Sequence, residues 1–146
     1  MPIPPATASL GEAAPPAKTL RIALWSVQAL LFVTFAGGGL WKLFTPISEL
    51  AAKMPWTGQV SPAFLYFTGV VDLCGGIGLL VPALTRIQPR LTVYAAAGCL
   101  VLQACAIVFH ISRGEADHTP FNFLLVALLV FVFWGRAFKA PIAPRA

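Results

Sequence analysis

The sequence predicts an all-α integral membrane protein, a bundle of four antiparallel spanning helices with a short interfacial helix after the first. Three observations carry this. Of 146 residues, 58% are hydrophobic and 10% charged, whereas roughly a quarter of a soluble chain is charged. Four apolar runs stand out: Ile22 to Trp41, Ala63 to Val81, Leu91 to Ile111 and Phe121 to Gly135. At about 1.5 Å per residue the first three each match a hydrocarbon core about 30 Å thick. Finally, each run carries one polar seam at helical spacing.

The elements follow in order. Residues 1–20, rich in Pro and Ala, read as a disordered cytoplasmic tail. A signal peptide is the competing reading of the start, but the apolar run continues through Trp41 and outlasts a signal core. A membrane domain over residues 21–139 holds spans at about 22–44, 62–81, 90–113 and 120–138, and residues 140–146 form a C-terminal tail. Thr45-Pro46, Ser61-Pro62 and Thr119-Pro120 each place a capping side chain before a proline at a first helical position. The segment Pro46 to Lys53 is too short to span; with Glu49 near its start, Lys53 near its end and Ile47, Leu50 and Met54 for the bilayer, it reads as the interfacial helix. Pro82 and Pro89 close the loop between the second and third spans, and Gly114 caps the third. The fourth run reaches spanning length if it starts at Pro120 and if Arg136 and Lys139 snorkel to the headgroups. Trp41, Trp56, Trp134 and Tyr66 fall near the expected interfaces.

The formal net charge is +5. The cations are scattered over loops and ends without a cluster or an aromatic platform, which argues against nucleic acid as a partner. They set orientation instead. Lys18, Arg21, Arg86, Arg90, Arg136, Lys139 and Arg145 share one side, and the opposite side mixes Lys42, Lys53 and Arg113 with Glu49, Glu115 and Asp117. By the positive-inside rule both termini are cytoplasmic, in a multi-pass protein of a bacterial cytoplasmic membrane. Cys74, Cys99 and Cys105 lie in spans, odd in number and without a C-x-x-C pair, and read as small hydrophobes.

Within the second span Asp72 is the only charge. A carboxylate at that depth costs about 2.5–3.5 kcal/mol unless it faces a partner or a cavity. The seams suggest the partners: Gln28, Phe32, Phe35, Gly39 and Lys42 on the first span; Gly69, Asp72 and Gly76 on the second; Thr92, Ala96, Cys99, Gln103, Ala106 and His110 on the third; Asn122, Val126, Leu129, Phe133 and Arg136 on the fourth. Depth singles out Lys42, Asp72, Gln103, His110 and Asn122 as one polar intramembrane cluster, the candidate site, with Arg136 as the charge at the inner end. A purely structural reading stands beside it, in which a Lys–Asp pair fixes helix register and Gln103 and Asn122 act as interhelical glue. The glycines of both early spans read as close-packing positions. His110, Glu115, Asp117 and His118 have metal-ligand chemistry but no zinc spacing, so no metal is expected. Only His110 has the depth for haem. No phosphate loop, nucleophile elbow or catalytic dyad is present, and no catalytic residue can be named.

Gly39-Leu40-Trp41-Lys42 at the end of the first span, Gly69-Val70-Val71-Asp72 and Gly75-Gly76-Ile77-Gly78-Leu79-Leu80-Val81-Pro82 in the second, His110 ending the third and Arg136 closing the fourth resemble the DoxX-like family of small membrane proteins. The resemblance covers about Leu24 to Arg136. It implies a four-helix integral membrane protein and transfers Lys42, Asp72, His110 and Arg136 as matches to the family's polar pattern. The family usually has Glu at Asp72, one methylene longer. Its name derives from a subunit associated with archaeal quinol oxidase, and some relatives are similar to small subunits of thiosulfate:quinone oxidoreductase. The resemblance therefore implies an accessory subunit of a quinone-linked membrane redox system, with a larger membrane or redox protein as partner; no motif carries a cofactor with it and none is evident in the sequence, a quinone being the one such a role would involve. Two other classes compete: a noncatalytic scaffold or assembly factor that docks through Phe121, Phe123, Phe131 and Phe133, and a small-solute carrier, which usually needs a larger, repeated fold.

Overall fold

Long apolar segments broken by Pro and Gly fold here into five α-helices, in a computed structural model that describes residues 16–145. They are α1 (Lys18–Phe44), α2 (Ile47–Lys53), α3 (Pro62–Thr85), α4 (Arg90–Ser112) and α5 (Thr119–Trp134). Single 3₁₀ turns lie at Pro55–Gly58 and Ala116–His118, and a π turn at Gly135–Lys139 extends α5. Four helical stretches are long and apolar enough to cross a membrane: Lys18–Phe44, Pro62–Thr85, Leu91–Ser112 and Ala116–Lys139. Their outer faces are largely apolar, as lipid requires, with Val33, Val101 and Val108 about two-thirds exposed at 65%, 65% and 67%.

Helix α1 packs along α3, α3 on α4 and α4 on α5, with α5 returning more lightly to α1. A core of Leu31, Phe35, Leu79, Ala96, Cys99, Leu125, Leu129 and Val132 joins all four. The seams expected from spacing face inward: Gln28, Phe35 and Gly39 on α1, Gly69 and Gly76 on α3, Thr92, Ala96, Cys99 and Gln103 on α4, and Leu129 and Arg136 at the fourth helix and its π turn are all buried.

Several boundaries differ from expectation. The N-terminal tail expected over residues 1–20 falls mostly outside the described residues, and α1 begins at Lys18, so its last three residues are helical. Helix α3 does not stop at Pro82 but runs through it to Thr85, ending on Arg86 in the left-handed region at φ 60°. A proline four residues from a helix end forfeits one backbone bond, and continued packing of Ala83, which is buried, outweighs that loss. Of the three expected caps only Ser61 forms, its Oγ accepting from Phe64 N at 3.3 Å. Thr45 makes no side-chain cap, and Thr119 is already helical, its hydroxyl donating back to Ala116 O at 2.7 Å. Gly114 sits one position beyond the cap of α4, at φ 73°. The segment 140–145 is no free tail: Arg145 N donates to Arg86 O (2.9 Å) and Arg86 Nε to Ala143 O (3.1 Å).

Close approach of α1 and α3 is set by glycine. A Cβ on Gly39 would lie 2.6 Å from Gly69 O and 2.7 Å from Leu73 N, and one on Gly76 would lie 2.6 Å from Ala36 N. The obstacles are backbone atoms, so no rotamer relieves them. Gly37, two residues away, has nothing within 4 Å of its Cβ position. Gly39→Ala is therefore expected to cost about 1–3 kcal/mol of stability through forced separation of the helices. Gly37→Ala should be neutral or stabilising by up to about 1 kcal/mol through helix propensity. Thermal unfolding of the two variants in the same detergent separates them, and equal effects would refute the close-contact account.

Candidate functional site

Gly69 also fixes the central ion pair. A Cβ there would lie 3.2 Å from Lys42 Cβ, so the lysine crosses directly over the bare turn of α3 that precedes Asp72. Its Nζ meets Asp72 Oδ2 at 2.6 Å. Both side chains are largely shielded, at 16% and 14% exposure, and Lys42 occupies the last turn of α1, where helix carbonyls favour a cation. The ammonium also sits 5.5 Å from the ring centroid of Trp56, close enough for a cation–π contact.

Gln103 and Asn122 form a second pair, Asn122 Nδ2 donating to Gln103 Oε1 at 2.7 Å. His110 is held differently. Gly114 N donates to Ile111 O (3.0 Å) and Glu115 N to His110 O (2.9 Å), the paired bonds by which a left-handed glycine finishes a helix and folds the next residue back over its last turn. Where such a motif usually brings two apolar side chains together, it brings His110 Nδ1 to Glu115 Oε2 at 2.9 Å. Glu115 Oε1 also accepts from Arg113 Nε at 3.2 Å, and Arg113 Nη2 donates to Gln59 Oε1, tying the turn after α4 to the turn before α3.

These groups surround one cavity of about 580 Å³. Lys42, Asp72, Gln103, His110, Asn122 and Glu115 supply its polar points, and Phe35, Trp41, Phe64, Phe109, Phe121 and Leu125 its apolar walls. All five residues of the expected cluster line it, as two separate hydrogen-bonded pairs and a histidine whose bond goes to Glu115 rather than towards Asp72. Arg136 lies elsewhere. Its Nε donates to Gln28 Oε1 at 2.7 Å, Gln28 Nε2 donates to Leu79 O at 2.7 Å, and its guanidinium stacks 4.8 Å from the Trp25 ring centroid. At 5% exposure it faces the interior, which replaces the snorkelling expected for it. The π turn carries it inward, with Ala140 N bonded to Gly135 O at 2.7 Å and the extra residue rotating the chain relative to α5.

Trp56, like Phe64 and Phe109, lines the cavity without belonging to the expected cluster. Placed by spacing at an interface, it stands between Lys42 and His110, 6.2 Å from the imidazole centroid and 5.8 Å from Phe109. No periodicity reaches a 3₁₀ turn, and the neighbouring Pro55 was the one local signal of a fixed chain direction. Leu50 of α2 is fully buried and Met54 lines the cavity, so this connection packs against the bundle end. Among the described residues no set of three His, Cys, Asp or Glu side chains is placed to hold a metal ion.

The hydrogen bond from His110, reinforced by Arg113, holds the Glu115 carboxyl below the usual carboxylate range. A carboxyl lowered on folding adds stability above its unfolded pKa and loses it as pH falls through the folded one. The pairing should therefore survive acidification through the ordinary carboxylate range and open only below it. Hydrogen exchange over residues 110–119, corrected for intrinsic rates, checks this. Glu115→Gln should abolish the acid step; persistence of the step in that variant would assign it to another group.

No curated protein and no solved structure matches the chain. A family model for the DoxX-like family matches residues 26–132. The match takes in α1 from its third turn, the cavity residues from Lys42 to Asn122 and nearly all of α5, and this integral membrane protein belongs to the DoxX-like family.

Proposed function

We propose that the chain is an accessory subunit of a quinone-linked membrane redox system and that its cavity holds the quinone head group. The observation that carries this reading is the combination of aromatic walls with hydrogen-bonding groups at one depth. A volume of about 580 Å³ lies within the range of roughly 300–1,000 Å³ typical of small-molecule sites. Lys42 and the free amide protons of Gln103 suit acceptor oxygens of an oxidised ring, and the Asp72 carboxylate suits the hydroxyl of a reduced one. A bound quinone supplies reversible uptake of electrons with protons; electrons come from a partner redox protein. Asp72 and Lys42 hold or release a proton at the ring, and Trp56 with Phe109 keeps bulk water from it. The structural reading of the Lys42–Asp72 pair, a lock on helix register, is compatible with the same geometry.

Sidedness belongs to the same proposal. Lys18, Arg21, Arg86, Arg90, Arg136, Lys139 and Arg145 gather at one end of the helices, where no acidic side chain occurs among the described residues. By the positive-inside rule this end is cytoplasmic, consecutive spans are antiparallel, and α2 lies at the opposite interface of a bacterial cytoplasmic membrane. The exposed Phe121 and Phe123 do not favour the scaffold reading, because lipid contact asks the same of any spanning helix.

Intact protein purified from its native membrane in mild detergent is expected to retain quinone on extraction. Asp72→Asn, still folded, should retain at least about tenfold less, since one charge-assisted hydrogen bond contributes about 1.5–3 kcal/mol. Absence of quinone from both, with a stoichiometric protein co-purifying, would replace this reading by the scaffold one. A reporter active only in the cytoplasm and fused after Ala146 should be active; silence there would reverse the orientation.

A further inference from the structure

We infer that the Arg136 end of the bundle contains a second site, a pocket for a phosphate group, independent of the quinone reading. The pocket measures about 560 Å³ and lies between the start of α4 and the returning C-terminal segment, lined by Gln88, Arg90, Val93, Arg136 and residues 141–144. Arg136 is the observation that points to a ligand. Its Nε and Nη1 are bonded to Gln28 Oε1 (2.7 Å) and Ala140 O (3.3 Å), but its Nη2, fully buried, has no hydrogen-bond partner among the described residues. A guanidinium at 5% exposure without a carboxylate is a costly group in any protein interior. Every charged side chain at this end of the described chain is a cation, so none of the described residues supplies a counter-ion.

Phosphate chemistry fits what is present. Two guanidinium groups, Arg136 within and the exposed Arg90 at the mouth, offer forked donors that match tetrahedral oxyanions. Pro141, Ile142 and Pro144 give the rest of the wall an apolar surface, suited to the glycerol and first methylenes that follow a lipid phosphate. The wall is held in place: Arg86 accepts from Arg145 N and donates to Ala143 O. Arg90 is the first residue of α4 and Arg136 follows the last turn of α5, so the pocket lies at headgroup depth, where basic pockets between helices take anionic lipids. The same donors also accept a free phosphate.

Thermal unfolding of the full chain in phosphatidylcholine vesicles, with and without phosphatidylglycerol, tests the site, alongside a titration of inorganic phosphate in detergent. The wild type should gain a saturable rise in its unfolding midpoint. Arg90→Gln, an exposed change, and Arg136→Lys, which keeps charge but loses the fork, should each weaken the response about tenfold, the scale of one charge-assisted bond. Lys18→Gln removes one charge at the same end outside the pocket and should leave the response unchanged. A rise with phosphatidylglycerol alone assigns the site to a lipid headgroup, and one with inorganic phosphate as well assigns it to free phosphate. Equal losses in Arg90→Gln and Lys18→Gln would reduce the effect to diffuse surface attraction and overturn the site, as would no rise with either probe.

Discussion

Contact between the backbones of α1 and α3 governs the rest of this molecule. In a bilayer no water is available to a polar side chain, so each must reach a partner across a helix interface. Bare turns at Gly39, Gly69 and Gly76 bring the two helices to touching distance, and only then does the short Asp72 side chain meet Lys42 at 2.6 Å. The same approach brings Gln28 of α1 under Leu79 of α3, 2.7 Å from its carbonyl. That bond fixes which end of the amide faces Arg136.

The bundle separates its charges by kind. One end pairs cations with acids, Lys42 with Asp72 and Arg113 with Glu115, and His110 is hydrogen-bonded to the same Glu115. The other holds cations alone among the described residues, and spreads them over aromatic faces and carbonyls, Arg136 on Trp25 and Ala140 O, Lys139 over Trp134. Aromatic rings and carbonyls lower the cost of a cation but do not neutralise it. The acid-bearing end thus holds its two ion pairs within the fold, and the cationic end looks outward to phosphate or lipid for balance.

Much of this was legible in the sequence because a helix converts spacing into direction. Gln28, Phe32, Phe35 and Gly39, or Thr92, Ala96, Cys99 and Gln103, recur at steps of three and four, and such positions share a face whatever the fold around them. The lone carboxylate of the second span announced a partner through its cost. Illegible features lie where that rule lapses. Trp56 stands in a 3₁₀ turn outside any seam. Arg136 kept the register of the fourth seam, yet a π turn decides that it turns into the bundle, onto Gln28 and Trp25, instead of snorkelling along the outer face. The partnership of His110 with Glu115 depends on the left-handed turn at Gly114, and a hydrogen-bonded end between residues five apart leaves no periodic trace. Pro82 misled in the opposite sense, since a breaker near a helix end yields to packing.

The backbone bond from Arg145 to Arg86 closes a ring around α4 and α5, and this has a consequence for biosynthesis. A ribosome releases residues 141–145 only after the fourth spanning helix has left it, and domains assemble largely in the order of synthesis. Pairing of α1 with α3 can be complete while the rest of the chain is still emerging. The loop at Arg86 then waits, its left-handed residue without the segment that braces it, until residues 143–145 emerge. Closure at this end follows the pairing of α1 with α3, so loss of residues 143–145 would spare the ion pair at the far end and leave the Arg86 loop unclasped.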